Sequence, residues 1–188
     1  MIRWLLLVPA NLVMWAVGYI LAPVLPLFCD KEGVLPNWLN WFTTWDAPHL
    51  IFDGTKEIEA GWVESKWPYL VNIRPEWLKL YLCRVAWLIR NTSYGFAYSV
   101  SGYSYNYADI VWTTKWWSPE NGVENKTIAY DKTGNPWLFG GFRISMFKRY
   151  WPSCKYGIRI YIGWKFSDGN LEQKHAMMAM HINPFRTT

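Results

Sequence analysis

Apolar positions follow three different patterns along the chain, and each pattern predicts a different kind of element. Residues 4–28 contain no charged side chain. Through residues 75–90, apolar positions recur three and four residues apart, which is typical of an amphipathic helix. Beyond residue 93, apolar and polar side chains alternate, which is typical of strands that bury one face. The chain therefore begins with an apolar helix, continues with an amphipathic one and ends in a sheet.

The segment from Trp4 to Phe28 is long enough to cross a membrane. As a helix it would extend about 37 Å, against about 30 Å of bilayer hydrocarbon. Pro23 and Pro26 predict that the helix ends near Ala22. Polar flanks suit a spanning segment, because a charge inside the hydrocarbon is costly. The charged residues on either side are Arg3, Asp30, Lys31 and Glu32.

Three placements of this segment are open. It could cross the bilayer once, with the N-terminus in the cytoplasm and the domain outside. It could lie flat in the interface, broken by Pro9, or it could be buried against protein. A cleavable signal peptide fits less well, because the apolar run is too long. A single-pass helix over residues 1–28 is the prediction, anchored by Trp4, Leu5, Leu6, Leu7, Trp15, Tyr19, Ile20 and Leu21.

Residues 29–74 are predicted to form a Trp-rich loop and linker region. In a short helix, Trp38, Leu39, Trp41 and Phe42 would share one face. That face could rest on a membrane surface or cover the core. Further on comes a cluster that suits turns better than a metal site, consisting of Asp46, His49 and Asp53.

Residues 75–188 are predicted to form an α+β domain. Pro75 and Glu76 suit the first turn of a helix and Arg90 suits its last turn. The strands that follow should pair into an antiparallel sheet of four or five strands, with the 75–90 helix over one face. The alternating segments are residues 103–107, 110–117, 126–130, 142–147, 158–166 and 176–182.

Composition adds a strong aromatic signal and a modest positive charge. The chain has 15 Trp, 12 Tyr and 9 Phe. Trp suits membrane interfaces, but it also fills small β-rich cores. The net charge of +5 fits anionic lipid. A nucleic-acid partner is not predicted, because no run of five or more basic residues occurs. Three widely spaced cysteines, Cys29, Cys83 and Cys154, indicate reduced structural residues rather than disulfides or zinc ligands.

No catalytic constellation is present in the sequence. The chain lacks a Gly-x-Ser-x-Gly elbow, a His-Glu-x-x-His pair and a phosphate-binding loop. It also lacks the Glu with an Asp nine residues later that marks lysozyme-like endolysins. His175 and His181 would share a strand face, but a metal needs further ligands. We therefore predict no catalytic residues, no cofactor and no metal.

Four blocks of sequence resemble a family of small uncharacterised membrane-associated proteins of tailed bacteriophages. The blocks are Leu35–Phe42 with Thr44 and Asp46, Arg84–Asn91 running into Tyr94–Phe96, Ile162–Lys165, and Ile182–Phe185. They are spread over most of the chain. The resemblance implies a phage origin and a bacterial host, and it implies no activity.

These observations lead to a functional hypothesis and two alternatives. The chain is predicted to be a non-enzymatic phage accessory protein, anchored in the host inner membrane and binding a membrane protein or lipid. The alternatives are a virion or assembly component whose apolar N-terminus packs into a neighbouring subunit, and an enzyme with an unrecognised site. The predicted interaction surface comprises Trp38, Trp41, Phe42, Arg84, Trp87, Arg90, Arg159 and Trp164, with Lys148 and Arg149 as further lipid-binding cations.

Overall fold

The computed structural model describes residues 1–44, 67–113, 124–149, 156–166 and 175–187. The predicted turn residues Asp46, His49 and Asp53, and also Cys154, lie outside these ranges. The chain forms two compact units. Unit 1 comprises residues 1–10 and 100–188, and unit 2 comprises residues 11–99. Unit 1 therefore combines the two ends of the chain, and unit 2 is the part between them. The predicted division into anchor, linker and domain stays a prediction.

The N-terminal helix α1 runs from Ile2 to Leu21. Its end confirms the prediction from the prolines, since Pro23 disfavours a helical conformation at the residue before it. Pro9 lies inside α1 without ending it. Residues up to Ala10 belong to unit 1 and the remainder to unit 2. A 3₁₀ turn at Leu25–Phe28 follows.

Unit 1 is built on an antiparallel sheet of five strands, which confirms the predicted α+β class. The order across the sheet is β2-β3-β4-β5-β7, and a separate two-stranded sheet pairs β1 with β6. The strands are β1 (Tyr103–Ser104), β2 (Ile110–Trp112), β3 (Glu124–Asp131), β4 (Phe142–Arg149), β5 (Tyr156–Trp164), β6 (His175–Ala176) and β7 (Met178–Thr187).

Alternation along the strands sets the core of unit 1. Ile144, Ile162 and Met180 lie side by side in the register of β4, β5 and β7, so they share one face of the sheet. All three pack against a buried cluster. The start of the chain also packs on this cluster, through Met1 and the α1 residues Trp4, Leu7 and Val8. The cluster comprises Tyr105, Ile110, Ala129, Phe142, Trp164, Phe166, Ala176 and Met178.

Unit 2 is helical in its described part. It contains a 3₁₀ turn at Asn37–Phe42 and the helices α2 (Pro68–Val71), α3 (Glu76–Arg90) and α4 (Tyr94–Ser99). The predicted 75–90 helix is confirmed as α3, with Pro75 directly before its first residue. Its placement over the sheet stays a prediction, because the sheet belongs to the other unit. The core of unit 2 contains Ala22, Leu25, Leu35, Leu39, Phe42, Leu70, Cys83, Ala86 and Leu88.

Candidate functional site

One face of α1 is covered by protein and the opposite face is exposed. The exposed side chains recur three and four residues apart, so they form a single stripe along the helix. Their exposed fractions range from 43% at Ile2 to 74% at Ile20. We call this stripe the outer face; it comprises Ile2, Leu5, Leu6, Leu12, Val13, Tyr19 and Ile20. No polar side chain other than the Tyr19 phenol belongs to it.

The covered face of α1 is fixed to unit 1 by hydrogen bonds as well as by apolar packing. The Arg3 guanidinium donates to the Gly102 carbonyl at 2.9 Å and lies over the rings of Tyr103 and Trp164. The Trp4 indole N–H donates to the Ala179 carbonyl at 3.0 Å. The positively charged Arg3 side chain is therefore held against protein, where it lies over aromatic rings of unit 1.

The first turn of α1 is capped by the backbone of the β3–β4 connection. The Ile2 amide donates to the Trp137 carbonyl at 3.2 Å, and the Arg3 amide donates to the Leu138 carbonyl at 3.1 Å. The Met1 amine donates to the Pro136 carbonyl, and burial lowers the pKa of this amine. The first amides of a helix have no partner within the helix, so this connection satisfies donors that α1 itself leaves unpaired.

The same connection presents three consecutive apolar side chains to the outside. Trp137, Leu138 and Phe139 are 69%, 44% and 62% exposed, and we call them the 137–139 turn. Asn135 orders the turn, because its side-chain oxygen accepts from the Trp137 amide at 3.0 Å and its carbonyl accepts from Gly140 at 2.7 Å. Periodicity did not predict this turn. An unbroken apolar triplet directly after a Gly-Asn-Pro turn was the available signal.

In unit 2 the covered face of α1 meets the connection between α3 and α4. The Ser93 hydroxyl donates to the Met14 carbonyl at 2.7 Å. A Cβ atom at Gly18 would lie 2.7 Å from Thr92 Cγ2 and 2.8 Å from Ser93 Oγ. Asn91, Thr92 and Ser93 are all buried, and Ser93 has a φ of 54°. Glycine at position 18 therefore allows a polar, tightly turned segment to approach the helix closely.

Exposed apolar side chains continue beyond the end of α1. Val24, Leu27 and Phe28 are exposed, and Phe28 contacts the exposed Trp38 edge to face at 5.9 Å. The Tyr81 hydroxyl of α3 donates to the Pro23 carbonyl at 2.5 Å. This end of α1 is thus held by α3, while an aromatic pair stands beside it at the surface of unit 2.

The predicted anchor residues divide between the two faces of α1. Leu5, Leu6, Tyr19 and Ile20 are exposed on the outer face. Trp4 and Leu7 pack on the unit 1 core, Leu21 packs on the unit 2 core, and Trp15 is partly buried. Asn11 and Gly18 are seven residues apart, so they share one side of the helix. Both are buried, and they were the available sequence signal for the side that faces protein.

The predicted interaction surface is corrected at two positions. Trp164 has no exposed area and Phe42 is 8% exposed, so both belong to the core. Trp164 continues the apolar alternation of β5 into the buried end of the sheet, and its indole N–H donates to the Ser101 carbonyl at 2.9 Å. That bond explains how a tryptophan can be fully buried there.

The other predicted surface residues vary in exposure. Trp38, Trp41 and Arg90 are exposed, and the Arg90 guanidinium lies 5.2 Å from the centre of the Trp87 ring. Trp87, Arg84 and Arg159 are partly buried. Lys148 is exposed, and the Arg149 side chain lies outside what the structure describes. The structure places Trp38, Trp41, Arg84, Trp87 and Arg90 in unit 2 and Arg159 in unit 1.

A polar cluster around Asp131 closes the end of β3. The Tyr103 hydroxyl donates to Asp131 Oδ2 at 2.7 Å, and the Thr133 hydroxyl donates to Oδ1 at 2.6 Å. Burial, together with the neighbouring carboxylate, raises the pKa of Tyr103 to about 12. Burial also acts to raise the pKa of Asp131, but the donors from Thr133 and Tyr103 outweigh it and lower the pKa. Within the described ranges, no group of His, Cys, Asp and Glu could hold a metal.

We expect Tyr103 to make stability fall at alkaline pH. Its pKa is raised on folding, from 10.0 to about 12, so its contribution is complete below pH 10 and is lost as the pH rises towards 12. Urea unfolding in mild detergent across this range measures the loss. Tyr103→Phe should lose less stability at alkaline pH than the native chain does. Tyr69→Phe, which changes an exposed tyrosine, should lose as much as the native chain. Equal losses in all three proteins would contradict the assignment.

Comparison with known proteins gives one result. The chain matches, over residues 1–188, a family described as "Family of unknown function (DUF7338)". No curated protein and no solved structure matches it. Because the match covers the whole sequence, the chain belongs to this family.

Proposed function

We propose that this member of the DUF7338 family is a non-enzymatic phage accessory protein that is attached to the host inner membrane through α1. The outer face of α1 is the observation that carries the proposal. The helix is long and apolar enough to cross a membrane. Its most apolar 18-residue stretch has a mean hydropathy of 1.8, and only 11% of that stretch is buried inside the protein. Soluble monomers rarely expose a continuous apolar patch of this length. Contact with lipid would remove it from water, at about 25 cal/mol per Å².

The phage origin and the bacterial host rest on the resemblance of the sequence blocks described above. The partner at the membrane is proposed to be a host membrane protein or the lipid surface itself. The net charge of +5 supports attraction to anionic lipid headgroups. The exposed candidates for such contacts in unit 2 are Trp38, Trp41 and Arg90.

The test places acidic residues on the outer face of the full-length chain. Leu5→Asp, Leu12→Asp and Ile20→Asp are combined, because each native side chain is at least half exposed and the fold should tolerate the change. An acid costs about 2.5–3.5 kcal/mol at the centre of a membrane-spanning helix, where Leu12 would lie, and less near the helix ends. We expect the native chain to resist an alkaline carbonate wash of bacterial membranes and the triple variant to be recovered in the supernatant.

A matched control carries the same number of new charges elsewhere. Tyr69→Asp, Trp77→Asp and Val100→Asp change side chains that are exposed to a similar degree and lie outside α1. This control should remain in the washed membranes. Membrane attachment is disproved if the native chain is extracted as readily as the variant and also fails to float with lipid vesicles. In that case the outer face would need a protein partner, and detection of the chain in purified phage particles would identify a neighbouring subunit.

A further inference from the structure

We propose that α1 lies in the plane of the membrane interface, within one leaflet, and that the 137–139 turn inserts beside it. The inference rests on the proposed membrane attachment and specifies its geometry. The sequence alone predicts a single crossing of the bilayer. Within each unit, α1 residues pack on protein while other apolar α1 residues of that unit are exposed, and this favours a helix that contacts lipid along its exposed residues only.

The covered face of α1 is hydrogen-bonded to loops and strands, which favours a helix in the plane of the membrane. In unit 1, loop and strand carbonyls at Gly102 and Ala179 accept hydrogen bonds from α1 side chains. In unit 2, the buried hydroxyl of Ser93 donates to Met14, in the middle of the helix. If α1 crossed the bilayer, the segment Asn91–Ser93 would be carried to the depth of the hydrocarbon core, together with the exposed Arg90 directly before it. A charged side chain at that depth is costly.

The outer face is a one-sided apolar stripe along nearly the whole of α1. Its side chains extend from Ile2 to Ile20, which corresponds to about 27 Å of helix at 1.5 Å per residue. Interfacial helices bury one apolar face about 5–10 Å into the headgroup and acyl boundary. In most of them the other face is charged and meets water. Here the other face packs on the protein's own units, so a helix without a charged face can still occupy the interface.

The 137–139 turn adds exposed apolar side chains beside the start of α1. Its carbonyls cap the first amides of α1, so its exposed side chains stand at the same end of unit 1 as the exposed Ile2. Trp and Phe favour the interfacial zone of a bilayer. The hydrogen bonds of Asn135 hold the turn in place before binding, so little conformational freedom is lost on insertion.

Lipid is the occupant that these surfaces fit. Apart from the Tyr19 hydroxyl and the Trp137 indole N–H, the outer face and the turn offer no hydrogen-bonding side-chain group with which to select a protein partner. Exposed cations suit anionic headgroups instead, with Lys148 in unit 1 and Arg90 in unit 2. A bilayer containing phosphatidylglycerol supplies both the apolar phase and the negative charge.

A depth measurement along α1 tests the placement. Leu5→Cys, Leu12→Cys and Ile20→Cys are made singly in a full-length background carrying Cys29→Ser, Cys83→Ala and Cys154→Ser. Each is spin-labelled in vesicles of phosphatidylethanolamine and phosphatidylglycerol. The background is used once its circular dichroism and vesicle binding match those of the native chain. We expect equal depths at all three sites, about 5–10 Å below the headgroups.

The outcomes separate this inference from the function on which it rests. If Leu12 lies near the bilayer centre, about 15 Å deep, and the other two sites are shallow, α1 crosses the membrane. The in-plane placement is then wrong while membrane attachment stands. If the native chain does not float with the vesicles at all, membrane attachment itself fails and the placement fails with it.

The turn is tested in the native cysteine background. Trp137→Ser with Phe139→Ser should weaken co-flotation with the same vesicles at least tenfold. Trp77→Ser with Tyr69→Ser removes two aromatic side chains that are similarly exposed and should leave flotation unchanged. Equal flotation of the two double variants would show that the turn stays outside the lipid, which overturns its part in the proposal.

Discussion

Replacing Trp164 with alanine will lower the free energy of unfolding of unit 1 by about 3–5 kcal/mol, the usual cost of truncating a large buried aromatic residue. The side chain has no exposed area. Its ring packs edge to face on Phe142 at 5.7 Å and contacts Tyr103 at 5.5 Å. The Ser101 carbonyl would also lose its indole donor, and Arg3 would lose one of its two aromatic neighbours.

Urea unfolding in mild detergent, followed by circular dichroism, measures this loss. Trp137→Ala is the matched control, because it removes the same side chain from a position that is 69% exposed. The control should change stability by no more than about 0.5 kcal/mol. If Trp164→Ala were equally mild, the side chain would not be part of the core, and its role as a surface residue would have to be restored.

A second large effect is expected at Gly18, where Gly18→Val should destabilise unit 2 by about 2–4 kcal/mol. The new side chain would overlap Thr92 Cγ2 and Ser93 Oγ, which lie within 2.8 Å of the Cβ position. Overpacking of this kind costs about 1–3 kcal/mol. Displacing Ser93 would also break its hydrogen bond to Met14, which adds about 1 kcal/mol.

Ala16→Val is the control for this prediction. It introduces the same β-branched side chain two positions away in the same helix. Helix propensity favours the Gly18 variant over this control, because glycine is a poorer helix former than alanine, so propensity cannot produce the expected difference. Ala16 is exposed, so valine has room there. Thermal unfolding should place Ala16→Val close to the native chain and Gly18→Val well below it. Equal melting temperatures would mean that residues 91–93 do not pack against α1.

Periodicity was sufficient to predict the longer elements of this fold, but not the short helices α2 and α4, which lie in a predicted linker and a predicted strand region. The alternation around Ile158, Ile160 and Ile162 gave β5, and the spacing between Pro75 and Arg90 gave α3. In both cases the signal is local, because burial of one face repeats at the period of the element. The two prolines at 23 and 26 likewise placed the end of α1, since their effect acts on the neighbouring residue.

Long-range contacts are the part that periodicity could not supply. Apart from the buried Asn11 and Gly18, α1 carries little mark of which side meets protein. Trp4 and Leu5 were therefore both assigned to the anchor, although only Leu5 is exposed. Trp164 was assigned to the surface because aromatic residues serve both environments, and the Ser101 carbonyl that satisfies it lies far away in sequence. The capping of α1 by the 137–139 turn is another contact of this kind.

The close approach of residues 91–93 to α1 also determines how the protein should be produced. Asn91-Thr92-Ser93 matches the acceptor motif for N-linked glycans. In a eukaryotic secretory pathway a sugar could be attached to Asn91 while the chain is still unfolded. In the folded protein Asn91 is only 6% exposed, so a glycan there would have no space and would hold the α3–α4 connection away from the helix. Bacterial expression avoids the modification and leaves this contact free to form.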